Sequence, residues 1–395
     1  MKYDFDIIHD RTKNFSAKYD EVGKKFGRDD LIPLWVADMD FVVAQPIIDA
    51  IQERAQQGIF GYTSRPDSYF EATQEWLKRH HGWETATKHM LHCPGVVPFL
   101  SMMIQNFTEP GDKIIIQSPV YYPFFDVVRS NGRVLIENPL KVVNGHYEMD
   151  YDHLEEVAKD GAKFLFLCSP HNPIGRVWTK DELVRLGNIC LAHNIGVIAD
   201  EIHSDLVFSG YKHIPFAMIS EEFRSITYTC ISPSKTFNLA GLQASISIFP
   251  TTRDLNKFER ILGNLDIRRN NCFSLVATEA AYRYGNEWLE QVKEYIAGNF
   301  SFIQEYCKQH LPQIHPNFPE GTYLVWIDCR ELGMDKDELH AFMLDEVKIA
   351  LDDGFWFGDA YGGYMRLNAA CPRSIIAEAL NRWKNALDKK IKGKA

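Results

Sequence analysis

Lys235 lies in the run Ser232-Pro233-Ser234-Lys235-Thr236-Phe237-Asn238-Leu239-Ala240-Gly241-Leu242, directly after an apolar, β-like stretch from Ile226 to Ile231. A primary amine held there can condense with an aldehyde to a Schiff base. The hydroxyls of Ser232, Ser234 and Thr236 can hydrogen-bond a phosphate beside it. Pyridoxal 5′-phosphate (PLP) bears both an aldehyde and a phosphate, and the combination suits it. A lysine among serines is equally the composition of a solvated surface segment, so the reading turns on what accompanies Lys235.

Asp200 closes the apolar run Gly196-Val197-Ile198-Ala199. A carboxylate there can cap the next element, or it can pair with a protonated pyridine nitrogen and keep the ring an electron sink. Its position one strand before Lys235 favours the second. Gly95-Val96-Val97 precedes Pro98, which suits the first position of a helix running to about Phe107. Such a start would aim the amides of Val96 and Val97 at an anion, though an ordinary helix start looks the same. Asn172, in Ser169-Pro170-His171-Asn172-Pro173, reads alone as turn chemistry, and Tyr121 alone as core packing. Arg366 alone reads as one half of a salt bridge.

Elements that would position these residues follow from pattern. Candidate strands are 113–117, 133–137, 163–168, 196–199, 226–231 and 244–249. Between two of them, 180–193 has a helical apolar stripe, with Thr179 and Glu182 spaced as a capping box. Alternating strands and helices predict an α/β fold with a large domain built on a mostly parallel sheet. Ligands of such sheets bind beyond the carboxyl ends of the strands, where the segments starting at Ser118, Ser169, Asp200 and Ser232 fall. The C-terminal third predicts a smaller α+β domain, with strands at 322–328 and 364–368 and helices at 337–347 and 374–387. The expected division is 1–45 as an arm of the small domain, 46–286 as the large domain, and 287–395 as a linking helix plus the small domain. Trp35, Met39 and Phe41 of the arm could line a pocket or a core, and 352–358 could form a lid.

Composition removes several function classes. With 43 Lys and Arg against 53 Asp and Glu, the net charge of −10 argues against nucleic-acid binding. No run approaches a membrane span, and the first residues show no signal-like apolar stretch. The eight cysteines are scattered without a Cys-x-x-Cys pair, which points to free thiols and a cytoplasmic setting. No Gly-x-Gly, phosphate-loop lysine or His-Glu-x-x-His occurs, so neither a dinucleotide nor a metal is expected. The basic end, Lys389 to Ala395, reads as a frayed tail.

The segments Trp35-Val36-Ala37-Asp38-Met39-Asp40-Phe41, Gly58-Ile59-Phe60-Gly61-Tyr62, Asp200-Glu201-Ile202-His203-Ser204-Asp205 and Ser232 to Leu242 together resemble the cystathionine β-lyase (cysteine-S-conjugate β-lyase) branch of the fold type I PLP-dependent enzymes. The resemblance spans nearly the whole chain. It implies that Lys235 is the Schiff-base lysine and later the base for the α-proton, and that Asp200 pairs with the ring nitrogen. It implies Asn172 and His203 at the phenolic oxygen, where many aminotransferases have tyrosine in place of His203. Tyr121 would stack on the ring, and Val96, Val97, Ser232 and Ser234 would hold the phosphate. Tyr62 would reach the phosphate of a neighbouring subunit, hence a homodimer with shared active sites. Arg366 would bind the substrate carboxylate, where planar bidentate pairing suits arginine. Gln243 departs from the pattern: many aminotransferases of the superfamily place a phosphate-binding arginine there. The implied activity is β-elimination from a small sulfur-containing amino acid, L-cystathionine or a related cysteine S-conjugate, to a thiol, pyruvate and ammonia. An aminotransferase using the same cofactor is the alternative, and a PLP-binding regulatory protein the third reading.

Overall fold

The computed structural model describes residues 3–392; Met1, Lys2 and the end of the basic tail, 393–395, lie outside the described residues. The chain forms two compact units. One comprises Val43–Asn172 and Arg176–Leu289, the other Met1–Val42, Pro173–Gly175 and Glu290–Ala395.

The larger unit is built on seven strands: β1 (Met90–Cys93), β2 (Lys113–Ile116), β3 (Val134–Glu137), β4 (Phe164–Cys168), β5 (Gly196–Asp200), β6 (Thr227–Ile231) and β7 (Ser245–Ile248). Their order is β1-β7-β6-β5-β4-β2-β3. From β6 to β3 every pairing is parallel, while β7 runs antiparallel to both its neighbours. Every residue of β4, Phe-Leu-Phe-Leu-Cys, is buried, the continuous apolar signature of a strand covered on both faces. β1 is the strand that pattern does not announce. It is only four residues, Met-Leu-His-Cys, and its polar His92 is buried by pairing opposite Ile246.

Two helices shape the site's surroundings. Helix Val96–Phe107 lays Phe99, Leu100, Met103 and Ile104 into the core with Ile114, Ile116, Phe166 and Ile198. It begins two residues earlier than Pro98 suggests, so Pro98 occupies the third position. A missing N–H is tolerated there because the first-turn amides have no intrahelical acceptor. Helix Lys180–Ala192 starts at the capping box expected: the Glu182 amide donates to Thr179 Oγ1 at 3.3 Å and Glu182 Oε2 accepts from the Thr179 amide at 2.8 Å.

The smaller unit holds β8 (His315–Pro316), β9 (Leu324–Asp328), β10 (Asp352–Asp353) and β11 (Tyr364–Asn368) in antiparallel order β8-β9-β11-β10. The segment from Asp352 is thus a paired strand followed by a tight turn that buries Phe357. The expected helix 337–347 is an α-helix at Lys336–Ala341 that widens to a π turn over Phe342–Val347. The wider turn buries the consecutive Phe342, Met343 and Leu344 together. The last helix runs Arg373–Lys392, so Lys389 to Lys392 are helical and not the frayed tail that charge suggests. Trp35, Met39 and Phe41 are buried. The Trp35 ring packs 5.4 Å from Phe26 and Phe41 lies 5.6 Å from Tyr295, which makes them core within this unit.

Candidate active site

The sheet register gathers the candidate segments of the larger unit into one row. Cys168 lies opposite Asp200, Asp200 opposite Cys230, Ile231 opposite Ile246, and Ser245 opposite Cys93. The residues just beyond this row are Ser169–Asn172, Glu201–His203, Ser232–Lys235 and Pro94–Val97, and Gln243 precedes it. β7 runs backwards, so its start and the ends of its neighbours meet at one edge. The segment after β2 joins them through His171, whose Nε2 lies 2.8 Å from the Pro119 carbonyl, two residues before Tyr121.

Lys235 projects from a one-turn helix, Pro233–Thr236, and is half-buried. Ser232 caps this turn: its Oγ accepts the Ser234 amide at 3.0 Å and donates to the Ala244 carbonyl at 2.6 Å. Ser234 Oγ lies 2.8 Å from Ser232 Oγ. Thr236, grouped with the two serines on sequence, behaves differently. Its hydroxyl is buried and donates to Asp205 Oδ2 at 2.8 Å.

Asp200 is buried at the end of β5, with Oδ1 accepting the Ile202 amide at 3.1 Å. Burial pushes its carboxyl up to about 7; the Ile202 amide and the Lys235 charge oppose this without overcoming it. Asp200 ends β5, and the turn that carries Lys235 follows the neighbouring parallel strand β6. Asn172 and His203 are both buried beside the same row. Helix Val96–Phe107 starts at Gly95 with no side-chain cap, leaving the Val96 and Val97 amides as helix-start donors.

These residues fit PLP on their own chemistry. An uncapped helix start and Ser234 suit a phosphate, a half-buried amine suits an aldehyde, and a carboxylate whose charge burial disfavours would be restored to ordinary acidity by a ring cation. Tyr62 is 95 % exposed beside the exposed Ile59 and Phe60, with the Arg269 guanidinium 5.6 Å from its ring centre. Thr63 and Arg65, just after it, are fastened to Asn270 at 2.6 and 2.8 Å.

Arg366 sits on β11 of the smaller unit and is buried. Its Nη2 donates to the Trp35 carbonyl at 2.9 Å and pairs with Asp352, and its cation faces the Phe357 ring at 4.9 Å. These contacts fix the plane of the guanidinium. Burial raises Asp352 to about 6 in spite of Arg366.

Sequence reasoning passed over the residues behind the row. Glu201 Oε1 accepts the Phe216 amide at 2.8 Å and Oε2 pairs with His213 at 3.2 Å. Asp205 accepts from three side chains, Trp76, His81 and Thr236. The signal was present, two further carboxylates within five residues of Asp200, but their partners come from segments remote in sequence.

The aminotransferase class I and II family model matches residues 29–382. Cystathionine β-lyase PatB of Bacillus subtilis is 42 % identical over 97 % of this chain and 99 % of its own length. Among solved structures, a PLP-bound aminotransferase candidate from Clostridium difficile 630 superposes with a TM-score of 0.96 at 49 % identity, covering 98 % of this chain and 100 % of its own. Cystalysin from Treponema denticola, which contains PLP, gives 0.95 at 35 % identity, covering 98 % and 100 %.

Proposed function

The chain belongs to the aminotransferase class I and II family, and within it, we propose, it acts as a PLP-dependent carbon–sulfur β-lyase. Its substrates are L-cystathionine or related cysteine S-conjugates. The observation that carries this reading is the placing of buried Asp200 and the Lys235 turn beyond adjacent parallel strands, in a chain 42 % identical over 97 % of its length with a cystathionine β-lyase. The overall change is R–S–CH₂–CH(NH₃⁺)–COO⁻ plus water to R–SH, pyruvate and ammonium.

When bound, PLP supplies a carbonyl for the substrate amine and a ring that spreads the charge left at the α-carbon. Lys235 Nζ takes the α-proton. Asp200, ionised against a ring cation, holds that cation in place. The amides of Val96 and Val97 with Ser234 would bind the phosphate, Asn172 and His203 would bond the phenolic oxygen, and Tyr121 would stack on the ring. Ser232, expected on sequence as a further phosphate donor, gives its hydroxyl hydrogen to the Ala244 carbonyl and holds the turn instead. Arg366 takes the substrate carboxylate in the plane that Trp35 and Asp352 set. A thiolate leaves without help from a strong acid, so no further proton donor is needed at sulfur.

Purified, PLP-loaded protein given L-cystathionine without any 2-oxo acid should release pyruvate and thiol in equal amounts over many turnovers. The second reading, aminotransferase, is favoured by the name of the Clostridium difficile structure. No release of pyruvate or thiol, with the substrate converted to its own 2-oxo acid only while a second 2-oxo acid is supplied to take the amino group, would establish that reading in place of the lyase.

The working form is a cytoplasmic homodimer. All eight cysteines are free thiols, which suits a reducing compartment. The exposed Ile59, Phe60 and Tyr62 form an apolar surface suited to a second copy of the chain, on whose phosphate Tyr62 would close. Light scattering should give twice the chain mass. Tyr62→Phe should weaken PLP binding about tenfold in an intact dimer; unchanged PLP affinity would remove Tyr62 from the phosphate site.

A further inference from the structure

A single helical turn does not hold itself in place: nucleation is unfavourable and one turn closes too few hydrogen bonds to offset it. The turn Pro233–Thr236 that presents Lys235 is therefore positioned by what grips its two ends. At its start, the Ser232 hydroxyl bonds the Ala244 carbonyl at 2.6 Å. At its end, the Thr236 hydroxyl bonds Asp205 Oδ2 at 2.8 Å, and the next residue, Phe237, packs 5.4 Å from the Trp76 ring.

Asp205 is itself held from another element. Its Oδ1 accepts Trp76 Nε1 at 2.9 Å and lies 2.8 Å from His81 Nε2, both on helix Asp67–His81. The side chains of His81 and Asp205 are 6 % and 5 % exposed. Burial pushes Asp205 up, but the bonds from His81, Thr236 and Trp76 outweigh it and bring the carboxyl down to about 2. It therefore stays an ionised acceptor throughout the pH range in which an enzyme of this class works. A charge-assisted hydrogen bond of this kind is shorter and stronger than a neutral one.

We propose that Asp205 is the positioning residue for Lys235: with Trp76 and His81 it anchors Thr236, and through Thr236 it sets the placement of the lysine amine. The inference rests on Lys235 being the lysine that bonds the cofactor. Its consequence is that geometry at Nζ depends on a hydroxyl one residue away, and a misplacement on the scale of an ångström is costly to proton transfer.

The test uses PLP-loaded Thr236→Val, which keeps the shape and removes the hydroxyl, with Thr236→Ser and Asp205→Asn beside it. Thr236→Val should lower kcat about tenfold or more with KM little changed, and should displace the pH midpoint of the visible absorbance band. Thr236→Ser should restore both readings, and Asp205→Asn should behave as Thr236→Val. A Thr236→Val protein that is folded and keeps the parent's pH midpoint and kcat would overturn the proposal. So would a loss confined to melting temperature, equal in Thr236→Val and Thr236→Ser. Borohydride reduction and peptide mass identify the cofactor-bearing lysine in the same samples. Attachment elsewhere than Lys235 would overturn the underlying reading; attachment at Lys235 with unmoved spectra overturns the positioning role alone.

Discussion

Lys235→Ala should lower β-elimination by at least ~10⁴-fold. Lys235 is half-buried on its turn, and the run Ser232 to Leu242 contains no other lysine. The variant loses both the covalent link to an aldehyde and the base for the α-proton. It should still bind PLP, because the helix start at Gly95 and the carboxylate of Asp200 remain. Its visible band should no longer be fixed by borohydride, and added primary amines should restore part of the rate. Turnover within tenfold of the parent would show that another group does the proton transfer.

Asp200→Asn should lower kcat by about a hundredfold or more, with a smaller change in KM. An amide has the shape of the carboxylate without its charge, so it cannot hold a ring cation against the low dielectric of the strand end. The same change should stabilise the protein in the absence of cofactor. Burial raises Asp200 from its ordinary 3.8 to about 7, so between those values the folded chain keeps a proton that the unfolded chain has released. Stability of the cofactor-free protein consequently falls as pH rises through that window, and the deficit is complete above it. Asparagine carries no such deficit. Cofactor-free Asp200→Asn should melt at least about 2 °C above the parent at pH 8 and draw level toward pH 4. A buried charge kept for catalysis at the expense of stability predicts this opposition. Activity within tenfold of the parent would show that the ring charge is balanced elsewhere.

Much of this fold is readable from local pattern. Strands such as 164–168 are continuous apolar runs, and helix 180–192 announces its start through Thr179 and Glu182, because capping and burial act over a few residues. β1 is too short and too polar to stand out, since pairing with β7 is what buries His92. The π turn at Phe342–Val347 has the same character: an α-helical pattern bends to a packing demand that no local rule contains.

The site divides along the same line. Sequence by itself determined the chemistry on offer: an amine among hydroxyls at Lys235, a carboxylate closing a strand at Asp200, amides at a glycine-led helix start, and an arginine in the final strand. Reactive groups are side chains of fixed type, and their types are written in order. Only the tertiary structure decided which of them meet. The parallel register of β4, β5 and β6, with β7 reversed beside them, brings Asn172, Asp200, Lys235 and Val96 to one edge. It also turned Thr236 from a candidate phosphate donor to a partner of Asp205, and exposed Trp76 and His81 as that carboxylate's other donors. Hydrogen bonds reach about 3 Å, and which atoms come within that reach across more than a hundred residues of chain is fixed by packing alone.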